Sequence, residues 1–156
     1  MAAQRLQALQ LLLQHEQQQS DQATLALRRA DEASQRARQQ HDQLLAYRDE
    51  YHARWSAQLR SGSAIAIVLH YRSFMQRLDQ AVTLQARQTE LAERQRAQAR
   101  QQLLECERRA ASVRKLLERR GAELAQLARQ REQKFSDEQA QRRRWRPTQH
   151  DELLPQ

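Results

Sequence analysis

From residue 6 to residue 55, apolar and small side chains recur at alternating intervals of three and four. The track runs through positions 6, 9, 13, 16, 20, 23, 27, 30, 34, 37, 41, 44, 48, 51 and 55. Leu6, Leu9, Leu13, Ala23, Leu27, Ala30, Ala37, Leu44, Tyr51 and Trp55 are its apolar members. That spacing is the seam of a left-handed coiled coil. Glu16, Ser20, Ser34, His41 and Arg48 interrupt it, so the seam is weak. A second track begins at Ile67, Tyr71, Phe74, Leu78 and Ala81 and thins through Gln85, Gln88, Ala92, Gln95 and Ala99. It ends in Leu103, Cys106, Ala110, Val113, Leu117, Leu124 and Leu127, with Arg120 as its one break. The successive four-residue steps from Gln95 to Ala99 to Leu103 predict a stutter there, which locally unwinds a supercoil.

Between the tracks lies Arg60-Ser61-Gly62-Ser63, a break in a chain almost free of helix breakers. The first proline is Pro147, and the only glycines are Gly62 and Gly121. Glycine costs a helix about 1 kcal/mol relative to alanine and proline about 3 kcal/mol. The pattern predicts an all-α fold, a long antiparallel coiled-coil hairpin of two helices forming one unit over residues 1–146. Its first arm covers about 3–59, its turn about 60–64 and its second arm about 65–145. At 1.5 Å per residue the arms reach about 85 Å and about 115 Å, and the second projects by about 30 Å from near Gly121. Pro147 and Pro155 predict a disordered tail over 147–156.

Composition fits this reading: 39% hydrophobic and 29% charged residues with mean hydropathy −1.02 suit long helices better than a conventional globular core. The net charge of +8 is uneven. Residues 1–86 carry ten Lys/Arg and eight Asp/Glu, residues 87–146 carry seventeen and nine, and residues 147–156 carry only Asp151 and Glu152. A basic second arm points to acidic partners of some kind. No apolar run approaches the roughly 20 residues that span a bilayer, and no leader is evident, so a cytoplasmic location is expected.

The residues offer little to catalysis. Two isolated glycines cannot form a phosphate-cradling loop. The five histidines never fall four apart, and one cysteine stands alone, so no metal or other cofactor is expected. Cys106 lies on the apolar track as a small seam residue. Two helices enclose no pocket for a small-molecule substrate. The expectation is a protein that is not an enzyme.

The aromatic residues are more informative. Tyr47, Tyr51, Trp55, Tyr71 and Phe74 gather near the turn. Centring the turn on Gly62 pairs residues whose numbers sum to about 125. Tyr51 then faces Phe74, Tyr47 faces Leu78, Leu44 faces Ala81 and Gln40 faces Gln85, in four stacked layers. They are either a widened seam anchoring the loop or, because a two-helix seam is narrow, a partly exposed docking patch.

The same residues carry a family likeness. Tyr47-x-x-Glu50-Tyr51 before the turn, then Tyr71-x-x-Phe74-x-x-x-Leu78-x-x-Ala81 after it, resembles the FliJ family of flagellar export proteins. The resemblance implies an antiparallel coiled coil similar to the gamma stalk of the rotary ATP synthase. It implies insertion into the hexameric export ATPase FliI, contact with the export gate FlhA, and binding of flagellar export chaperones. Gate contact would map to Gln40, Leu44, Tyr47, Tyr51, Phe74, Leu78 and Ala81. The ATPase contact would map to the far end of the arms, with Leu6, Leu9, Leu13, Val113, Leu117, Leu124 and Leu127 as candidates. The location implied is cytoplasmic, peripheral to the inner membrane at the flagellar base. Two other classes stand beside it. One is a nucleic-acid-binding basic coiled coil, for which Arg142–Arg146 with Trp145 is the best patch. Its cost is that the arginines are interleaved with glutamates. The other is a homodimeric coiled-coil adaptor whose helices pair between chains.

Overall fold

The computed structural model describes residues 1–62 and 64–146. Two helices account for nearly all of them, α1 (Ala2–Arg60) and α2 (Ile65–Arg144), and no strand occurs among the described residues. They pack antiparallel on each other, as the all-α hairpin requires. The expected tail over 147–156 lies outside the described residues. Gly62 has φ of 87° at the break, and Ser61 Oγ caps the end of α1 by donating to the Gln58 carbonyl at 2.8 Å. The Ala64 carbonyl accepts from the Ile67 and Val68 amides as α2 begins.

The chain divides into two compact units. One holds Gln14–Ala110 and therefore the turn; the other holds Met1–Leu13 with the α2 segment from Ala111 onward. In the turn-containing unit the paired residues keep the register expected from Gly62. Tyr51 meets Phe74 with ring centroids 4.4 Å apart, and Gln85 Nε2 donates to Gln40 Oε1 at 3.3 Å. Arg109 meets Glu16 at 3.4 Å, so the same sum of about 125 holds far from the turn.

All fifteen positions of the first track are buried or half-buried. The polar interruptions prove to be its tightest points: Ser20 and Ser34 are the buried residues of α1, and Ser34 is only 1% exposed. Small side chains let two helix axes approach closely, and the approach then covers the small residue itself. Cys106 and Ala110 play the same part on α2, where both are buried.

The second track needs correction. Gln88 and Gln95 are exposed, and the sheltered positions are Thr89 and Arg96. With those two in place, the alternation of three and four continues through Ala99 and Leu103 and the expected stutter is absent there. Successive four-residue steps fall instead from Ala81 to Gln85 to Thr89 and from Val113 to Leu117 to Gly121, where Gly121 is half-buried and Arg120 exposed. Hydropathy missed Thr89 and Arg96 because their polar ends meet partners across the seam. Thr89 Oγ1 shares its proton between the Gln85 carbonyl at 2.9 Å and the Ala37 carbonyl at 3.2 Å, Gln85 Nε2 donates to the Ala37 carbonyl at 3.1 Å, and Arg96 Nε pairs with Asp31. Two further expected seam residues, Ile67 and Leu127, are 40% and 49% exposed. In the N-terminal unit, every residue from Ala125 to Arg146 is exposed, so seam burial ends at Leu124.

Ser34 Oγ has no hydrogen-bond partner among the described residues. Removing an unsatisfied buried hydroxyl is neutral or favourable, whereas overfilling a tight site costs about 1–3 kcal/mol. Ser34→Ala is expected to leave urea stability, followed by circular dichroism, unchanged or slightly raised. Ser34→Leu is expected to lower it by about 1–3 kcal/mol.

Candidate partner-docking sites

The turn-containing unit carries the aromatic cluster, and Tyr51 is its hub. It meets four rings: Tyr47 at 6.0 Å, Trp55 at 5.9 Å, Tyr71 at 6.3 Å and Phe74 at 4.4 Å. Trp55 and Tyr71 close the cluster at 5.5 Å. Helical spacing explains the arrangement. Positions 47, 51 and 55 lie one turn apart on α1, as 71 and 74 or 75 do on α2, so matching turns bring their rings together. Aromatic pairs at these separations add about 0.5–1.5 kcal/mol each beyond area burial.

The cluster is part seam and part surface. Tyr51, Trp55, Tyr71 and Phe74 are half-buried seam, while Tyr47 is 48% exposed on its flank. Of the candidate gate residues, Leu78 is buried, Leu44, Tyr51, Phe74 and Ala81 are half-buried, and Gln40 and Tyr47 are exposed. Only the last two are exposed. The others set the position of that surface.

Electrostatics reinforce the register. Glu16 and Asp31 on α1 pair with Arg109 and Arg96 on α2. Nearer the turn the signs reverse, and Arg38 and Arg48 on α1 pair with Glu93 and Asp79 on α2. The Arg38 Nε–H donates to Glu93 Oε1 at 2.9 Å. Each pair is partly exposed and worth about 0–1 kcal/mol, but their sign pattern opposes slippage. The Arg109 guanidinium is held above its usual range, chiefly by the hydrogen bond it donates to Cys106 Sγ at 3.3 Å, with Glu16 adding to the effect.

In the N-terminal unit Leu6, Leu9, Leu13, Val113, Leu117 and Leu124 are half-buried along the seam. Exposed leucines flank them: Leu11, Leu12 and Leu116. A groove of about 330 Å³ runs between Leu12 and Leu116, bordered by Arg5 and Arg120. A second, of about 300 Å³, is lined by Met1, Leu6, Leu124 and Leu127. The seam reading missed Leu11, Leu12 and Leu116. Their signal was the runs Leu11-Leu12-Leu13 and Leu116-Leu117, since adjacent helical residues cannot all face one partner.

Among the described residues no cluster of His, Cys, Asp and Glu could hold a metal ion, and Cys106 is buried. A model of the family described as Flagellar FliJ protein matches residues 5–149. Neither a curated protein nor a solved structure matches the chain.

Tyr51→Ala removes the hub and is expected to cost about 2–4 kcal/mol in urea unfolding. Tyr47→Ala, at a surface ring, is expected to cost less than about 1 kcal/mol. Both variants should keep their helical circular dichroism at 25 °C.

Proposed function

The chain belongs to the flagellar FliJ protein family, and from that premise we propose that it is the stalk of the flagellar type III export ATPase. Family membership makes it a flagellar, export-associated protein of a non-catalytic family. In the proposal, the leucine-lined N-terminal unit seats in the hexameric export ATPase FliI, in the manner of the ATP synthase gamma subunit. Leu6, Leu9, Leu13, Val113, Leu117 and Leu124 hold the helices together there, and the exposed Leu127 offers its side chain to the ring. Leu12 and Leu116 supply the outward apolar contact, and Arg5 and Arg120 attract an acidic lining.

The tip patch Gln40, Leu44, Tyr47, Tyr51, Phe74, Leu78 and Ala81 contacts the export gate FlhA. The observation that carries this reading is the Tyr51 cluster, which joins both halves of the family motif and leaves Tyr47 exposed, about two turns along α1 from the exposed Gln40. An aromatic anchor held by packed neighbours is the chemistry of an interface hot spot. Flagellar export chaperones are further partners, and the site of action is the cytoplasmic side, peripheral to the inner membrane. Function is coupling: nucleotide-dependent changes in the ring favour one stalk position, and that position biases the gate.

Titrating the chain into purified hexameric FliI should stimulate ATP hydrolysis. Leu12→Asp with Leu116→Asp should raise the concentration needed at least about tenfold, while Tyr47→Ala leaves stimulation intact and weakens FlhA binding by a similar factor. A chain that neither binds nor stimulates the ATPase contradicts the stalk role.

A further inference from the structure

We propose that the turn end of the hairpin is a lipid-contacting tip that inserts into an anionic phospholipid surface. From Tyr51 through Leu78 the chain has no aspartate or glutamate, but it has Arg54, Arg60, Arg72, Arg77, His52 and His70. Elsewhere arginines alternate with acids and pair across the helices. Here Arg54, Arg60 and Arg72 form no ion pair with any described residue.

The same acid-free stretch holds the longest apolar run of the chain, Ala64–Leu69. Three of its four large side chains are exposed, Ile65 at 79%, Leu69 at 59% and Ile67 less so, while Val68 is half-buried. Ile65 and Leu69 lie one turn apart, whereas Ile67 sits about 200° around the helix from Ile65. Apolar groups therefore emerge on opposing sides of the first turns of α2. A groove in a partner protein covers one side of a helix, while an acyl layer covers all of them. The half-buried Trp55 and Tyr71 lie next along the helices, the residue types that favour the headgroup level. Arginines around an apolar end add attraction to lipid phosphates, which weakens with salt.

Among the described residues no helix is long and apolar enough to cross a membrane, so the contact is insertion into one leaflet. It deepens the peripheral membrane position proposed above and uses neither Gln40 nor Tyr47. Its failure would therefore leave the gate and ATPase contacts standing.

The test uses the full chain with Trp145→Phe, which leaves Trp55 as the only tryptophan. Sedimentation with mixed phosphatidylcholine–phosphatidylglycerol vesicles should exceed that with phosphatidylcholine alone by at least about tenfold. Trp55 emission should shift to the blue, and added salt should weaken binding. Ile65→Asp with Leu69→Asp should reduce binding by at least about tenfold. Arg54→Gln with Arg60→Gln and Arg72→Gln should abolish the preference for phosphatidylglycerol. Helicity should not change in either variant. Replacing Arg142, Arg143, Arg144 and Arg146 by Gln should leave vesicle binding in place. The proposal is overturned by absent vesicle binding, by equal binding of the Ile65→Asp/Leu69→Asp chain, or by binding that depends on residues 142–146 alone. Loss of FlhA binding in Ile65→Asp/Leu69→Asp without vesicle binding would overturn it as well, and would assign the tip to a protein socket.

Discussion

Gly62 holds φ of 87°, a left-handed conformation that costs residues with a Cβ about 1–2 kcal/mol and glycine almost nothing. A Cβ at this position would meet no atom within 4 Å, so the requirement is set by the backbone alone. With the reversal placed there, each residue of α1 has one partner level on α2. The Tyr51–Phe74 contact, the Gln40–Gln85 bond and the Arg109–Glu16 pair all follow that single count. The aromatic hub exists because the turn sits where it does. Moving the reversal by one residue would rotate one arm by about 100° against the other and scatter the rings.

What maintains the register away from the turn is a seam of modest apolar content. Its devices are small residues, a polar layer and signed ion pairs. Ser20, Ser34, Cys106 and Ala110 allow close approach and become its most sheltered positions together with Leu78 and Val82. The Ala37 carbonyl accepts from Gln85 Nε2 and lies within reach of Thr89 Oγ1, whose hydroxyl also reaches the Gln85 carbonyl, and a slipped register would lose the contacts to α1. The reversal of ion-pair sign between Asp31–Arg96 and Arg38–Glu93 has the same consequence, because a shifted register sets like charges together. Such a seam specifies alignment more than it adds stability.

Much of this was legible in the chain. Every position that the 3-4 spacing placed on the α1 track up to Trp55 is sheltered, Ser20 and Ser34 included, because period does not depend on hydropathy; Gln19, Asp31, Ala33 and Leu45 are half-buried beside the track. On α2 the reading slipped at Gln88 and Gln95, where apolar content alone could not separate them from Thr89 and Arg96. Those two are on the seam through a hydrogen bond and an ion pair to α1, which only the folded arrangement supplies. Ile67 and Leu127 failed for the opposite reason. They are apolar and well spaced, but Ile67 stands at the start of α2 and Leu127 beyond the last sheltered residue, Leu124. The docking residues divide in the same way. The family motif located Tyr47 and Tyr51, but only the ring contacts separate the outward ring from the inward hub. Leu12 and Leu116 appeared once burial showed which of the adjacent leucines the seam had left out.

The central claim is that one chain folds on itself with residue numbers summing to about 125. Paired cysteines test it most directly, in a Cys106→Ser background. Gln40→Cys with Gln85→Cys should oxidise within a single chain, giving a monomeric band of altered mobility on a non-reducing gel. Pairing Gln40→Cys with Arg77→Cys or Ala92→Cys places the thiols about a heptad out of register, roughly 10 Å apart along the axis, and should not crosslink. Efficient crosslinking of a displaced pair, or crosslinks that form only between chains, would contradict the register on which the fold and both proposed docking surfaces depend.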